Sequence, residues 1–204
     1  MISFDDYYKK EIEHVINVEF PWYIDLIEDC FNFKRWGFHK IYSGAVPNAM
    51  PIIVYESNQC RVRFVWEIST SYGDPEGVSI LYGRLHAPID KKIMDWNGEK
   101  HYCWHDDHLA LKFLDGLATD SNSKRPDFLQ GFYQVNKNRG WRNAEIMARR
   151  HAALWEHYEQ RLFDIFDLNH PHLWKQYVNY VEEYYSKGLM WPGNSEFPPL
   201  HKIC

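Results

Sequence analysis

Between His101 and His108 the chain reads HYCWHDDH, which places three histidines, a cysteine and two aspartates within eight residues, just ahead of an apolar helical run. Imidazole nitrogens and thiolates are good tetrahedral zinc ligands, and a carboxylate beside a metal-bound water can act as its base. These residue types would suit a metal-dependent hydrolase. If Glu99 to Trp104 is a strand, His101, Cys103 and His105 share one face, with His108 a helical turn beyond. The spacing argues the other way: neither C-x-H nor H-x-x-x-H within a strand is a zinc pattern, and H-E-x-x-H is absent. Asp106 or Asp107 capping a helix, with the histidines along a strand edge, asks for less coincidence. The reading adopted is therefore no metal and no cofactor. His101, His105, Asp106, Asp107 and His108 stay as the catalytic candidates of an alternative, hydrolytic reading. Arg84 and His86 join them, because Gly83 inside the β-rich run YGRLHAP predicts a bulge or a close backbone approach that would aim both into a cleft.

Other polar groups have simpler explanations. His151 falls on the apolar stripe of a long helix, where a buried imidazole needs an acceptor for its N–H, such as an acidic side chain. His170 and His172 flank Pro171 and mark a helix start. Arg61, Arg63 and Glu67 read as the solvent-facing side of a strand. The segment NKNRGWRNAEIMARR is the one concentrated basic region, and Lys137, Arg139, Trp141, Arg142, Arg149 and Arg150 are the binding candidates of a third reading, a phosphate or nucleic-acid binder. No helix-turn-helix or other nucleic-acid module accompanies it, and the net charge of −5 gives no global attraction for a polyanion, so nucleic acid is not expected as a partner. Dinucleotide loops, Walker loops, a G-x-S-x-G elbow and paired redox cysteines are all missing.

The elements that would position these groups follow from periodicity. Ser3 is a plausible N-cap for a first helix ending near Glu19; Pro21 forces Phe20 out of the helical region and opens a second helix, the pair covering residues 3–33. The period then changes. In CRVRFVWEIS, Cys60, Val62, Phe64, Trp66 and Ile68 alternate onto one face, PIIVYES and VSILYGRLH flank it, and Asn97-Gly98 predicts a tight hairpin turn, giving an antiparallel sheet of four to six strands over residues 38–105. A short helix spans 107–115, with Gly116 placed to stop it. Residues 143–187 form a helical hairpin whose first inward stripe is Met147, His151, Leu154, Tyr158, Leu162 and Ile165, and an irregular tail covers 189–204.

Together these elements predict an α+β fold, one domain over 1–204, with the sheet packed against N-terminal helices and the C-terminal hairpin. Nine tryptophans, fourteen tyrosines and twelve phenylalanines supply the buried area. Four cysteines without a paired spacing, no leader-like start and no membrane-length apolar run lead to the expectation of a soluble cytoplasmic protein. The function expected is that of a protein-interaction or accessory module without a catalytic centre, its partner another protein; whether it is an enzyme is left open.

Overall fold

In the computed structural model, which describes residues 13, 15–45, 51–67, 77–89, 93–96, 99–117 and 141–186, a π-helical turn over Val15–Glu19 runs directly into helix α1 (Phe20–Cys30). Phe20 is therefore helical, contrary to the sequence expectation. Pro21 falls at the first positions of α1, where its missing N–H has no intrahelical partner to lose, and the wider π turn carries the chain past the proline ring without a break. The expected start at Ser3 lies outside the described residues. Helix α1 buries Phe20, Tyr23, Leu26 and Ile27 and stops at Cys30, short of residue 33, because Phe31 is already extended. A turn with Gly37 at φ 71° then leads into the sheet.

Strands β1 (His39–Ala45), β2 (Pro51–Glu56), β3 (Cys60–Glu67) and β4 (Gly77–Arg84) follow as an antiparallel meander. Next come β5 (Ile93–Trp96), β6 (Glu99–Tyr102) and the two-residue β7 (His105–Asp106), which pairs with β4 and completes a five-stranded sheet of order β1-β2-β3-β4-β7. Strands β5 and β6 form a separate two-stranded sheet in which Trp96 faces Glu99; Asn97 and Gly98, the expected turn, lie outside the described residues.

Helix α2 (Asp107–Leu117) follows, then α3 (Trp141–Tyr158), α4 (Gln160–Asp164) and α5 (Pro171–Ser186). The fold is α+β, with the helical hairpin packed on the sheet as expected. Two details differ. Gly116 is inside the last turn of α2 without a positive φ, so it does not act as a stop. The first arm of the hairpin is also interrupted at Glu159, which adopts φ 50° and separates α3 from α4. Met147 is half-buried on that arm, while His151, Leu154, Tyr158, Leu162 and Ile165 are buried on its inner side. No helix among the described residues is long and apolar enough to cross a membrane.

The alternation in β3 predicts the main core: Cys60, Val62, Phe64 and Trp66 are all fully buried on the helix side. Trp155 of α3 lies at the heart of that core, with its ring centre 4.8 Å from Phe31, 5.0 Å from Phe163 and 5.5 Å from Phe38. Its indole N–H donates to the Tyr82 hydroxyl at 2.6 Å, so this buried ring is also polar-satisfied.

The other face of the sheet is covered too, which the sequence reading did not anticipate. Ile52, Val54, Leu81, Ala87, Cys103 and Trp104 form a second cluster there. Arg63 is consequently 7% exposed, with its guanidinium 5.8 Å from the Trp104 ring centre, and is not a solvent-facing charge. Arg61 is half-buried beside it, bonded to Glu56 and to the Ala87 carbonyl. Since β3 is a central strand, neither arginine guards an edge.

Candidate functional site

The sequence cluster at 101–108 is split by the fold. His101 belongs to β6 in the small sheet, whereas His105 belongs to β7 in the large one, because the chain leaves β-structure at Cys103 and Trp104. That break also separates the remaining pair by the thickness of the sheet. Cys103 packs into the second cluster, while His105 points to the helix side, its ring 5.2 Å from Trp174, 5.4 Å from Tyr177 and 5.9 Å from Phe166. The expectation that His101, Cys103 and His105 share one face is thus corrected, as is the placing of His105 along an open strand edge. The side chains of His101 and His108 lie outside the described residues, and Asp106 is half-buried opposite Leu81.

Asp107 meets a different histidine. It stands in the first turn of α2, where a carboxylate opposes the helix dipole, and its Oδ2 lies 2.8 Å from Nδ1 of His151 on α3. This is the acid that the buried His151 required. A His–Asp pair is the orienting half of general-base machinery, yet these side chains are only 4% and 13% exposed and adjoin the core residue Tyr82. Burial, with the Asp107 charge adding to it, holds the Tyr82 hydroxyl well above its ordinary range, so Tyr82 stays neutral. Burial likewise raises the thiols of Cys30 and Cys60, which disfavours the thiolate that nucleophilic cysteine chemistry needs.

Arg84 and His86 also part company. The β3–β4 register runs unbroken from Cys60↔Arg84 to Glu67↔Gly77, so Gly83 makes no bulge there; it is instead a close approach, with Cys103 and Trp104 packed against its backbone. His86 is exposed in the turn beyond β4. Arg84 turns inward beneath α5, where its guanidinium lies 5.1 Å from the Trp174 ring centre. Burial pulls its pKa down from the usual arginine value, while the nearby Asp167 opposes that shift.

Asp167 anchors a polar group that the sequence reading missed. It is 4% exposed in the α4–α5 turn, accepting hydrogen bonds from the Asn169 N–H at 2.8 Å, the Asn169 amide at 3.0 Å and the Gln59 amide at 3.3 Å. The His170 ring nitrogen stands 3.4 Å away. Burial on its own would raise this carboxyl; the Asn169 and Gln59 hydrogen bonds and His170 together outweigh it and hold the group below the usual carboxylate range. Oxygens of Asp164 and Asp167 and a nitrogen of His170 lie within 4.8 Å of one another, a donor set able to take a divalent cation. Gln59 also binds Asp164, at 3.0 Å, so these oxygens are already hydrogen-bonded within the protein. The D-x-x-D-x-x-H spacing from Asp164 to His170 was the available signal. His172 is exposed at the start of α5 and faces Gln176, which agrees with the helix-start reading of Pro171.

Of the basic segment, Lys137 and Arg139 lie outside the described residues, and the side chains of Trp141 and Arg142 are likewise not described. Arg149 is exposed and paired with Glu145 one turn away at 2.9 Å, and Arg150 is half-buried. Comparison of the chain with protein-family models, curated proteins and solved structures finds no match.

Proposed function

We propose that this chain is a binding module that acts by recognising another protein, and that it has no catalytic centre of its own. One observation carries the reading: two of the groups that looked catalytic, Asp107 and His105, serve the interior. Asp107 is bound to His151 with both side chains largely enclosed, and His105 is ringed by Phe166, Trp174 and Tyr177. A general base must reach its substrate within hydrogen-bond distance, which the side chains of His151, 4% exposed, and His105, walled by three rings, do not. The experiment has two arms. Purified protein is assayed on p-nitrophenyl acetate and p-nitrophenyl phosphate, with and without zinc or manganese. In parallel a photo-crosslinking residue is placed at exposed His172 or at exposed Asp25 in cells. A discrete covalent adduct formed from one position and not the other, with no hydrolysis above a heat-inactivated blank, is the expected result. Hydrolysis lost in Asp107→Asn would overturn the reading.

A metal-dependent hydrolase is the second reading, favoured by the Asp164, Asp167 and His170 grouping and no longer by His101 to His108. Calorimetric titration with zinc separates the two: stoichiometric binding abolished by Asp167→Asn, together with metal-stimulated hydrolysis, would bring this reading forward.

A further inference from the structure

The polar groups beneath α5 include a cation that no described side chain bonds. Arg84, the last residue of β4, is 9% exposed, and among the described residues its guanidinium makes no hydrogen bond and no ion pair. Its Nε is sealed from solvent without an acceptor, and so is the indole Nε1 of Trp174, the ring over which the guanidinium lies at 5.1 Å. Among the described residues, two enclosed donors on neighbouring groups thus lack the same thing, an acceptor. Asp167, whose charge acts on Arg84, does not supply it: the two form no ion pair, and the Asp167 oxygens are taken by Asn169, Gln59 and His170.

We propose that Arg84 and Trp174 form a binding site for a carboxylate group, brought either by a small acid or by an acidic side chain of a protein partner. A guanidinium presents parallel N–H groups that match the two oxygens of a carboxylate, and an indole N–H alongside adds a donor. Charge selects this ligand over phosphate. One buried cation balances one negative charge, whereas a dianion would also face the carboxylates of Asp164 and Asp167, which lie together at this end of the sheet. The site rests on the binding reading only for the source of the carboxylate, not for its capture.

The test is an NMR titration that follows the Trp174 indole N–H and the Arg84 Nε–H. The signals are assigned with Trp174→Phe and Arg84→Lys, and chloride holds ionic strength constant. Three probes are used: acetate, an amidated glutamate-containing tripeptide, and inorganic phosphate. Saturable shifts with acetate and the peptide, weakened about tenfold or more in Arg84→Lys, are expected, with phosphate the weakest of the three. Tighter binding of the peptide than of acetate assigns the carboxylate to a protein side chain; equal or tighter binding of acetate assigns it to a small acid. The absence of saturation with acetate, an unchanged dissociation constant in Arg84→Lys, or tighter binding of phosphate would overturn the site. Should Arg84→Lys fail to fold by circular dichroism, Trp174→Phe decides, since it keeps the ring and loses only the donor: several-fold weaker acetate binding supports the site and unchanged binding removes it. A failed titration beside a position-specific cross-link would remove this site and keep the binding reading.

Discussion

Alanine at position 83 should lower stability by about 2 kcal/mol, even though alanine ordinarily suits a strand interior better than glycine. The added Cβ would stand 2.6 Å from the Ala87 Cβ, 2.7 Å from the Cys103 carbonyl oxygen and 3.1 Å from a ring carbon of Trp104. The first two neighbours belong to or sit directly on backbone, so no rotamer change relieves them. The chain leading into β7 must shift outward by about 1 Å to restore normal contact. That movement disturbs the second cluster, in which Trp104 donates to the Pro88 carbonyl at 2.7 Å and lies over Arg63. Overpacking against backbone belongs near ~3 kcal/mol, and the smaller unfolded-state entropy of alanine returns roughly 0.5–1 kcal/mol. With an m-value of about 2 kcal/mol/M in urea, the midpoint should fall by about 1 M. Gly116→Ala is the internal control. Among the described residues nothing lies within 4 Å of its added Cβ, and it is inside α2, so it should raise stability by about 0.5–1 kcal/mol. A Gly83→Ala midpoint at or above wild type, with Gly116→Ala rising as expected, would refute the packing of Cys103 and Trp104 onto β4.

Three further outcomes are expected. Leu154→Ala, at a side chain 1% exposed between α3 and the sheet, should destabilise by roughly 2–5 kcal/mol in the same urea assay. Asp107→Ala should cost about 1–3 kcal/mol by leaving the His151 ring N–H without its acceptor, and a double-mutant cycle with His151→Ala should show coupling of roughly 0.5–3 kcal/mol; additive losses would mean that the pair is not formed. Asp167 has a depressed pKa in the folded state, so its stabilisation is present above the unfolded carboxylate value and is lost as pH falls through the lower folded one; Asp167→Asn should therefore flatten the decline of melting temperature below about pH 4.

What the sequence revealed, and what it hid, follows from how far each cause lies along the chain. The inward side of β3 is a local matter: Cys60, Val62, Phe64 and Trp66 alternate, and all are fully buried. The outward side depends on Trp104, which returns from beyond β6 to cover Arg63, and no local pattern announces that cover. The same holds for His151. Its place on an apolar stripe made an acidic partner necessary, but that partner, Asp107, stands at the start of another helix. Phe20 shows a local rule yielding to local context, since the π turn ahead of Pro21 removes the conflict that would have ended the helix. At His105 a two-residue interruption was enough to break the alternation, and with it the inference that His101, Cys103 and His105 converge.

The aromatic content of the core accounts for the placing of three polar side chains, His105, Arg63 and Arg84. Imidazole and guanidinium are flat groups, and rings accept them on their faces and edges more readily than they accept a point charge. His105 stands edge-on to Trp174, Arg63 lies over Trp104, and Arg84 lies over Trp174, so each fills space that another ring would otherwise occupy. Packing of this kind satisfies shape without satisfying every hydrogen bond, and the remainder is where recognition can begin. At Nδ1 of His151 the remainder is met by Asp107. At Arg84 it is not met by any described side chain, and a buried charge without an acceptor persists only where other interactions compensate for it. The proposed carboxylate site is therefore marked less by which polar residues adjoin in sequence than by which donors, those of Arg84 and Trp174, the described fold leaves without an acceptor.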